Sequence, residues 1–304
     1  MPQKQVINGK AFEYSVAIKL LEYSGSKLVE DEFYAKTEEC YNMLTSQEQT
    51  NMFAHAQTMA KHIIWKDPNL RNGEISINSD SAGKKGDVRD VLLKLGNKTV
   101  GFSCKNNHEA LKHSRLSYKI DFVKDWGLGE KCSQTYWDSI MPVFNDIKNK
   151  IETSNKTAKW KTAYDTKTIG KLVYWPILDA WENELRRIYE ANPKETVENL
   201  MAYIVGKHDF YKIIRQEKAK SVKLQVWNFH KTLPYRKTKY PNAIRSISNF
   251  NGSQYSKTIC FNQGYTINFR IHSGDGALVQ SLKFDIGAIG LPTTIHQQEI
   301  EVKE

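Results

Sequence analysis

The stretch that decides the fold is GDVRDVLLKLGNKTVGFSCKNNHEALKHSRLS, residues 86–117. Two short runs in it, 91–95 and 100–104, alternate apolar residues with others, which is the period of β-strands. Gly96-Asn97 lies between the two runs and is typical of a tight hairpin turn. These residues predict an antiparallel pair of strands joined by two residues.

An aspartate opens the first strand of this pair and a lysine closes the second. If Asp90 lies opposite Ser103, then Asp90, Ser103 and Lys105 project from one face, because side chains alternate along strands. A carboxylate oxygen suits a hard cation such as Mg²⁺, while a lysine orients or helps to deprotonate a water and stabilises developing charge. Asp87 is the competing candidate, since a one-residue change of the turn reverses the alternation. We favour Asp90 because it directly precedes the apolar run 91–93.

Helices are predicted on both sides of this pair. Apolar residues at helical spacing indicate helices over 10–23 and 33–44, and Thr45 with Glu48 forms a capping-box pattern that opens a third. The segment 106–116 is also predicted to be helical, as is most of 133–216. Strand patterns return at 222–229, 258–261, 265–271 and 282–289.

The expected fold class is therefore α/β: a mixed sheet flanked by helices, with a helical lobe and a β-rich C-terminal region. We expect three consecutive segments: an α/β core with the hairpin over 1–130, a helical lobe over 131–217, and a basic loop with a β-rich region over 218–304.

Size and charge narrow the function classes. The chain has 304 residues, 40% of them hydrophobic, and a net charge of +10, which favours a globular protein with a polyanionic partner. No apolar run approaches the roughly 20 residues of a membrane span, and the first ten residues lack the pattern of a secretory signal. Four cysteines without CxxC spacing argue against a zinc knuckle or a disulfide framework. We expect a cytoplasmic protein that binds nucleic acid and no membrane.

The positive charge is concentrated between Lys207 and Arg245. This segment contains eleven Lys and Arg residues and two acidic residues, Asp209 and Glu217, so its net charge is +9. Its first half is interpreted as a solvated helix face, including Lys212, Arg215 and Lys218. The second half, residues 230–241, interleaves cations, aromatics and prolines, which predicts a stiff loop that binds phosphates and reads guanine with an arginine.

An aspartate, a hairpin and a lysine in this order resemble the PD-(D/E)xK nuclease core. The words GDVRDVLL, GFSCKNNHEALKHSRLS, and NFRIH followed by SLKFDIGAIGLP resemble the HaeIII-type family of type II restriction endonucleases, over residues 83–117 and 267–292. This resemblance implies Mg²⁺-dependent cleavage of double-stranded DNA at a short palindrome, GGCC for that family. It also implies a cognate DNA methyltransferase and a possible homodimer.

The chain departs from the pattern at Ser103, where an acidic residue is usual. The resemblance implies that a carboxylate elsewhere completes the metal site: Glu109, from the helix expected after Lys105, or Glu13, from the helix before the sheet. That choice stays open, with Glu74 and Asp80 as weaker options. The same departure keeps two other classes open, a DNA-binding protein with an inactive nuclease fold and a structure-selective nuclease.

Candidate DNA contacts are polar and basic residues near these motifs. His108 and His113 could serve as general bases, but a histidine on a polar helix is more often solvent-exposed or a phosphate contact. Arg270 and His272 share one face of a strand and form either DNA contacts or a structural pair with Asp275 or Asp285. Cys104 is assigned to packing, because it alternates with Lys105. The candidates are Asn106, Asn107, His108, His113, Arg115, His230, Lys231, Tyr235, Arg236, Lys237, Lys239, Arg270 and His272.

Overall fold

The computed structural model describes residues 4–79, 86–253, 255–274 and 276–302, so Asp80 and Asp275 lie outside the described residues. A π-helical turn, Gly170–Tyr174, precedes the longest helix of the second half. The α-helices of the described residues are α1 (Lys4–Ser24), α2 (Glu32–Asn42), α3 (Ser46–Lys66), α4 (Phe122–Asp125), α5 (Gln134–Thr153), α6 (Trp160–Ala163), α7 (Trp175–Ala191) and α8 (Pro193–Val205).

The strands form two separate sheets, one mixed and one antiparallel. They are β1 (Lys27–Leu28), β2 (Glu74–Ile77), β3 (Val91–Leu95), β4 (Lys98–Asn106), β5 (Ala110–Ser117), β6 (Phe210–Gln216), β7 (Ser221–Trp227), β8 (Ile244–Asn249), β9 (Ser256–Phe261), β10 (Thr266–His272), β11 (Ser281–Gly290) and β12 (His296–Glu301). The predicted α/β class, with a mixed sheet, flanking helices and a β-rich C-terminal region, is confirmed.

The chain folds as two compact units, each made of separated segments. The first unit comprises residues 1–109, 206–239 and 293–304, and the second comprises 110–205 and 240–292. These units cut across the three consecutive segments expected from the sequence. The reason is that sheet pairing joins strands that are far apart in sequence.

The first unit contains the mixed sheet, whose described strands have the order β1-β2-β3-β4-β6-β7-β12. β4 runs parallel to β6, and β3 runs antiparallel to β4. One face carries apolar side chains such as Phe102, Cys104 and Ile213, which pack in a core with α1 and α3. As predicted, Cys104 lies in this core.

The predicted hairpin is confirmed in detail. β3 and β4 pair from Val91 with Phe102 to Leu95 with Lys98, so Gly96 and Asn97 form a two-residue turn. The backbone N–H of Asp90 donates to the carbonyl of Phe102 at 2.8 Å, and Phe102 is already the partner of Val91, so the regular register ends at Val91. The hydroxyl of Ser103 lies 3.3 Å from the Asp90 carboxylate, so the two side chains meet on one side of the strand pair.

The N-terminal helix predictions are confirmed as well. α1 buries Phe12, Val16 and Leu20 on one stripe. Thr45 caps α3 with the expected capping box, since its side chain accepts from the backbone of Glu48 and the Glu48 carboxylate accepts from the backbone of Thr45.

The helix predicted over 106–116 is wrong. This segment ends β4 and then forms β5, which pairs antiparallel with β11 over 281–287. The polar sequence has no strong period of its own, and a strand partner about 170 residues away decides its conformation. Glu109, His108 and His113 are therefore not on a helix.

The helical prediction also extended too far, to residue 216. The helical stretch ends at Val205, and Phe210–Gln216 is strand β6, between β4 and β7 in the mixed sheet. Lys212 and Arg215, interpreted as a solvated helix face, are instead buried on this strand, at 2% and 1% exposure. The run Phe210-Tyr211 followed by Ile213-Ile214 has strand propensity, and this signal outweighs the spacing of the charges.

The second unit contains the antiparallel sheet, with the order β5-β11-β10-β9-β8, together with α4 to α8. An aromatic cluster forms its core, in which Trp181 contacts both Phe269 and Phe284 with ring centroids 4.9 and 5.1 Å apart. No helix in the described part of the chain is long and apolar enough to cross a membrane.

Candidate active site

The start of β3 and the end of β4 bring the predicted catalytic pair together. The Nζ of Lys105 donates to Oδ2 of Asp90 at 3.3 Å. The same oxygen accepts from the backbone N–H of Cys104 at 2.7 Å and from the hydroxyl of Ser103 at 3.3 Å. Ser103 thus orients the carboxylate of Asp90 as a hydrogen-bond donor, in the position where an acidic residue is usual.

Glu13 lies beside this pair, on the buried stripe of α1 that also contains Ala17 and Leu20. Burial, and next the negative charge of Asp90, raise the pKa of Glu13 to about 7. Lys10, one helical turn earlier, opposes this shift, because its Nζ is 2.9 Å from the Glu13 carboxylate. Two carboxylates and two ammonium groups therefore share one partly buried site.

The charge of Lys105 is stabilised by these carboxylates. Burial alone would lower the pKa of the ammonium, but the nearby negative charges, first that of Asp90, outweigh burial and raise the pKa. Lys105 is therefore a protonated donor at neutral pH in this arrangement.

Asp87 is held by a different partner. Its carboxylate accepts three hydrogen bonds from Arg89, two from the guanidinium at 2.7 and 2.8 Å and one from the backbone N–H at 3.1 Å. Burial would raise the pKa of Asp87, but Arg89 outweighs it and the pKa lies below its usual value. The Arg89 stem fills the space beside Gly101, where an added Cβ would come within 1.9 Å of it. Asp87 thus forms an ion pair that packs against β4.

Glu109 is bound by lysines of the neighbouring strands and has no hydrogen bond with Asp90 among the described contacts. Its carboxylate accepts from Lys223 Nζ at 2.9 and 3.1 Å, and its backbone carbonyl accepts from Lys212 Nζ at 2.7 Å. Glu74, the weaker candidate, begins β2 opposite Lys94, at the far end of β3 from Asp90. Of the described glutamates proposed for the metal, Glu13 is the one whose charge couples to Asp90 and Lys105.

A metal at this site would need further ligands from solvent or substrate. In residues 4–79, 86–253, 255–274 and 276–302, no group of three or more His, Cys, Asp or Glu side chains is arranged to hold a metal. Two carboxylates nevertheless fit Mg²⁺, which usually keeps several waters and takes one or two protein carboxylates together with phosphate oxygens.

The DNA-contact candidates at the end of β4 have internal partners. Arg215 donates to Oδ1 of Asn106 at 2.7 Å, and Asn107 exchanges hydrogen bonds with Glu217 at 2.8 and 3.1 Å. Asn107 has φ +59°, which an asparagine tolerates in a tight turn. These amides fix the junction between β4 and the segment that follows, while His108 is exposed.

The basic loop is anchored from inside the first unit. Asn228, completely buried, donates to the carbonyls of Leu233 and Tyr235 at 3.1 and 2.8 Å and accepts from the backbone N–H of Leu233. Asp209 accepts from the backbone N–H groups of His230 and Thr232.

This anchoring separates the loop candidates into two groups. Tyr235 is half-buried and contacts the rings of Tyr211 and His296, and Lys231 donates to the carbonyl of Tyr235 at 2.7 Å. His230 bonds the carbonyl of Lys207 through its ring. Lys231 is itself exposed, as are Arg236, Lys237 and Lys239.

In the second unit, the structural pairing with Asp285 considered for His272 is present, and His113 joins it, which the sequence did not indicate. His113 and His272 each bond one oxygen of Asp285, at 2.8 and 2.7 Å. Burial opposes the charge of Asp285, but both histidines outweigh it and hold its pKa far below the usual range. Arg270 is exposed on β10, and Arg115 donates to Ser281 at 3.0 Å.

Comparison with known proteins identifies the family of the chain that carries this site. The family described as HaeIII restriction endonuclease matches residues 9–292. The chain belongs to this family. The Type II restriction enzyme HaeIII of Haemophilus aegyptius is 31% identical over 317 aligned residues, covering 97% of each chain. No solved structure is matched significantly. The protein is therefore a restriction endonuclease, and the other two classes are not favoured.

Sequence analysis missed Lys10 and Lys212 at this site. The signal for Lys10 was its position three residues before Glu13, on the same side of a helix. The signal for Lys212 was the apolar strand run around it, which places it next to Ser103 once β4 and β6 pair in parallel.

Proposed function

We propose that this restriction endonuclease hydrolyses both strands of DNA at GGCC, using Mg²⁺ held by Asp90 and Glu13 and with Lys105 beside the attacking water. The supporting observation is the convergence of two carboxylates and the Lys105 ammonium at the mouth of one β-hairpin. The specific sequence GGCC follows from family membership and not from any side chain.

The donor set supports the choice of a hard cation. Burial and the neighbouring Asp90 carboxylate disfavour the charged form of Glu13, and a divalent cation between the two carboxylates would favour it. When bound, Mg²⁺ polarises the scissile phosphate and lowers the pKa of a bound water. Asp90 is held ready for this by Ser103 and the backbone of Cys104.

Lys105 acts in this proposal as a hydrogen-bond donor and as a positive charge. A general base must give up its proton near neutral pH, whereas the carboxylates around Lys105 raise its pKa. Its ammonium therefore orients the water through a hydrogen bond and stabilises the negative charge that develops on the phosphate. Lys10 favours the ionised form of Glu13 and holds its carboxylate in place.

Base recognition is assigned to the anchored loop. An arginine reads guanine through two hydrogen bonds in the major groove, and Arg236 is an exposed arginine on a loop whose main chain is fixed by Asn228. Lys237 and Lys239 then contact phosphates.

The biological setting follows from the same proposal. A palindromic target favours a twofold dimer, and a host that makes this enzyme needs a cognate DNA methyltransferase and holds both in its cytoplasm. Light scattering of the purified protein with and without a GGCC duplex measures the dimer directly.

Incubation of the purified protein with plasmid and Mg²⁺ tests the proposed function. We expect discrete fragments whose ends map to GGCC, and no cleavage in EDTA. Discrete fragments whose ends map to another sequence would refute GGCC as the recognition sequence and leave the proposed reaction standing. A smear or cleavage restricted to branched DNA would instead indicate a structure-selective nuclease, and intact plasmid would indicate an inactive fold.

A further inference from the structure

Three lysines lie on one face of the mixed sheet, on neighbouring strands. The register pairs Ser103 with Lys212, and Ile214 with both Lys105 and Lys223. Because side chains alternate along strands, Lys105, Lys212 and Lys223 project to the same side, opposite the core face that carries Cys104 and Ile213. Adjacent strands are about 5 Å apart, so Lys105 and Lys223, two strands apart, are separated by about 10 Å at the backbone.

Glu109 binds two of these three lysines, Lys212 and Lys223, through different groups. Lys212, at 2% exposure, holds the main-chain carbonyl of Glu109 at 2.7 Å. Lys223 holds the carboxylate at 2.9 and 3.1 Å, and this ion pair is partly open to solvent, since the side chains of Lys223 and Glu109 are 24% and 44% exposed.

We propose that Lys223 contacts a DNA backbone phosphate near the one that is cut, and that the carboxylate of Glu109 competes with this phosphate for the Lys223 ammonium. This inference rests on the proposed function, which brings DNA to Lys105. Lys223 lies about 10 Å from Lys105 at the backbone and on the same face, so it can reach a phosphate next to the one beside Lys105. Glu109 accordingly acts as a competitor for DNA and not as a ligand of the metal.

The exchange is physically inexpensive for two reasons. A partly exposed ion pair contributes little stability, so a phosphate with equivalent acceptor oxygens can replace the carboxylate. The main chain of Glu109 is held separately by Lys212, so the side chain can turn away while the segment after Lys105 stays in place.

DNA binding by charge variants tests this competition. Dissociation constants are measured in EDTA, over a series of KCl concentrations, for a duplex without GGCC. We expect Glu109→Gln to bind about threefold more tightly than the wild type, the order of magnitude of a weak ion pair. Lys223→Gln should bind more weakly, with a slope of log affinity against log salt lower by about 0.9. In the double variant, the gain from Glu109→Gln should disappear.

Glu152→Gln is the matched control, because it removes the same charge from an exposed pair with Lys148 on α5. Equal affinities of the Glu109 and Glu152 variants would overturn the proposal, as would a gain that persists when Lys223 is replaced. Loss of cleavage by Glu109→Gln with unchanged binding would assign Glu109 to the metal and also overturn it. If the wild type cleaves and binds while only these comparisons fail, the proposed function stands without this inference.

Discussion

The carboxylate of Asp90 is fixed by three donors on one oxygen, from Ser103, Cys104 and Lys105. A backbone N–H and a strand side chain cannot move independently of the sheet, so the orientation of this carboxylate is set by the hairpin register. Such preorganisation reduces the rearrangement needed when charge develops in the transition state. Ser103 contributes to it as a donor.

Lys105→Ala tests the ammonium of this site directly. We expect the cleavage rate to fall by at least on the order of 10²- to 10³-fold, because one aligned donor to developing charge is lost. Binding to a GGCC duplex in a gel-shift assay should remain detectable. Lys94→Ala, on the exposed side of β3, is the matched control and should cleave normally. Normal cleavage by Lys105→Ala would remove the catalytic assignment.

Glu13→Gln tests the energetic cost of the second carboxylate. In the folded protein the pKa of Glu13 is about 7, above its ordinary value of 4.5. The folded state therefore binds the proton of this carboxyl group more tightly than the unfolded state. The ionised carboxylate therefore destabilises the fold fully above pH 7, and this cost vanishes as the pH falls through 4.5.

We expect Glu13→Gln to raise the free energy of unfolding in EDTA by about 1 to 3 kcal/mol at pH 8, and by less at pH 5.5. Urea unfolding at both values measures this difference. Glu22→Gln, exposed on the same helix, should change stability by less than about 0.5 kcal/mol. A Glu13 variant that is less stable than the wild type at pH 8 would contradict the argument.

At the scale of elements, the hairpin was predictable from sequence because it is local. The alternation of 91–95 and 100–104 and the two-residue turn fix its register without reference to any other part of the chain. The prediction that Asp90, Ser103 and Lys105 share one face was an extrapolation from that register, with Asp87 as the alternative. Glu13 was reachable through the helical stripe that it shares with Ala17 and Leu20.

The strands β5 and β6 were not predictable, for a physical reason. β5 has few apolar residues and becomes a strand only by pairing with β11, far along the chain. β6 pairs in parallel with β4. Parallel strands are joined by a long connection, so the local sequence of β6 does not specify its partner strand. The role of Lys212, buried beside Ser103, was hidden for the same reason.

The basic loop depends on Asn228, a completely buried residue with three hydrogen bonds to loop main chain. Asn228→Ala leaves these groups unpaired, which costs roughly 1 to 3 kcal/mol. We expect faster hydrogen exchange over residues 229–241 and weaker binding to GGCC. Asn149→Ala, exposed on α5, is the control for the substitution itself. Unchanged exchange in the Asn228 variant would show that the loop is held by other contacts.

At the scale of the whole molecule, the net charge of +10 is distributed more narrowly than the sequence indicates. Residues 207–245 carry nearly all of it, but Lys212 and Arg215 are buried and Lys223 is paired with Glu109. The exposed cations of this segment lie both in the loop that Asn228 anchors, as with Arg236 and Lys237, and outside it, as with Lys218 and Arg245. Whether the loop makes localised phosphate contacts is therefore a question that the charge count alone does not answer.

The double variant Lys237→Ala/Lys239→Ala tests whether this loop supplies the main phosphate contacts. Each lost contact lowers the slope of log affinity against log salt by about 0.9, so we expect a decrease of about 1.8. Replacing Lys148 and Lys194, which pair with Glu152 and Glu198, removes the same net charge and should leave the slope nearly unchanged. Localised contacts release counterions in proportion to their number. If both variants lower the salt slope equally, the overall positive field of the protein attracts DNA and the loop makes no localised phosphate contact.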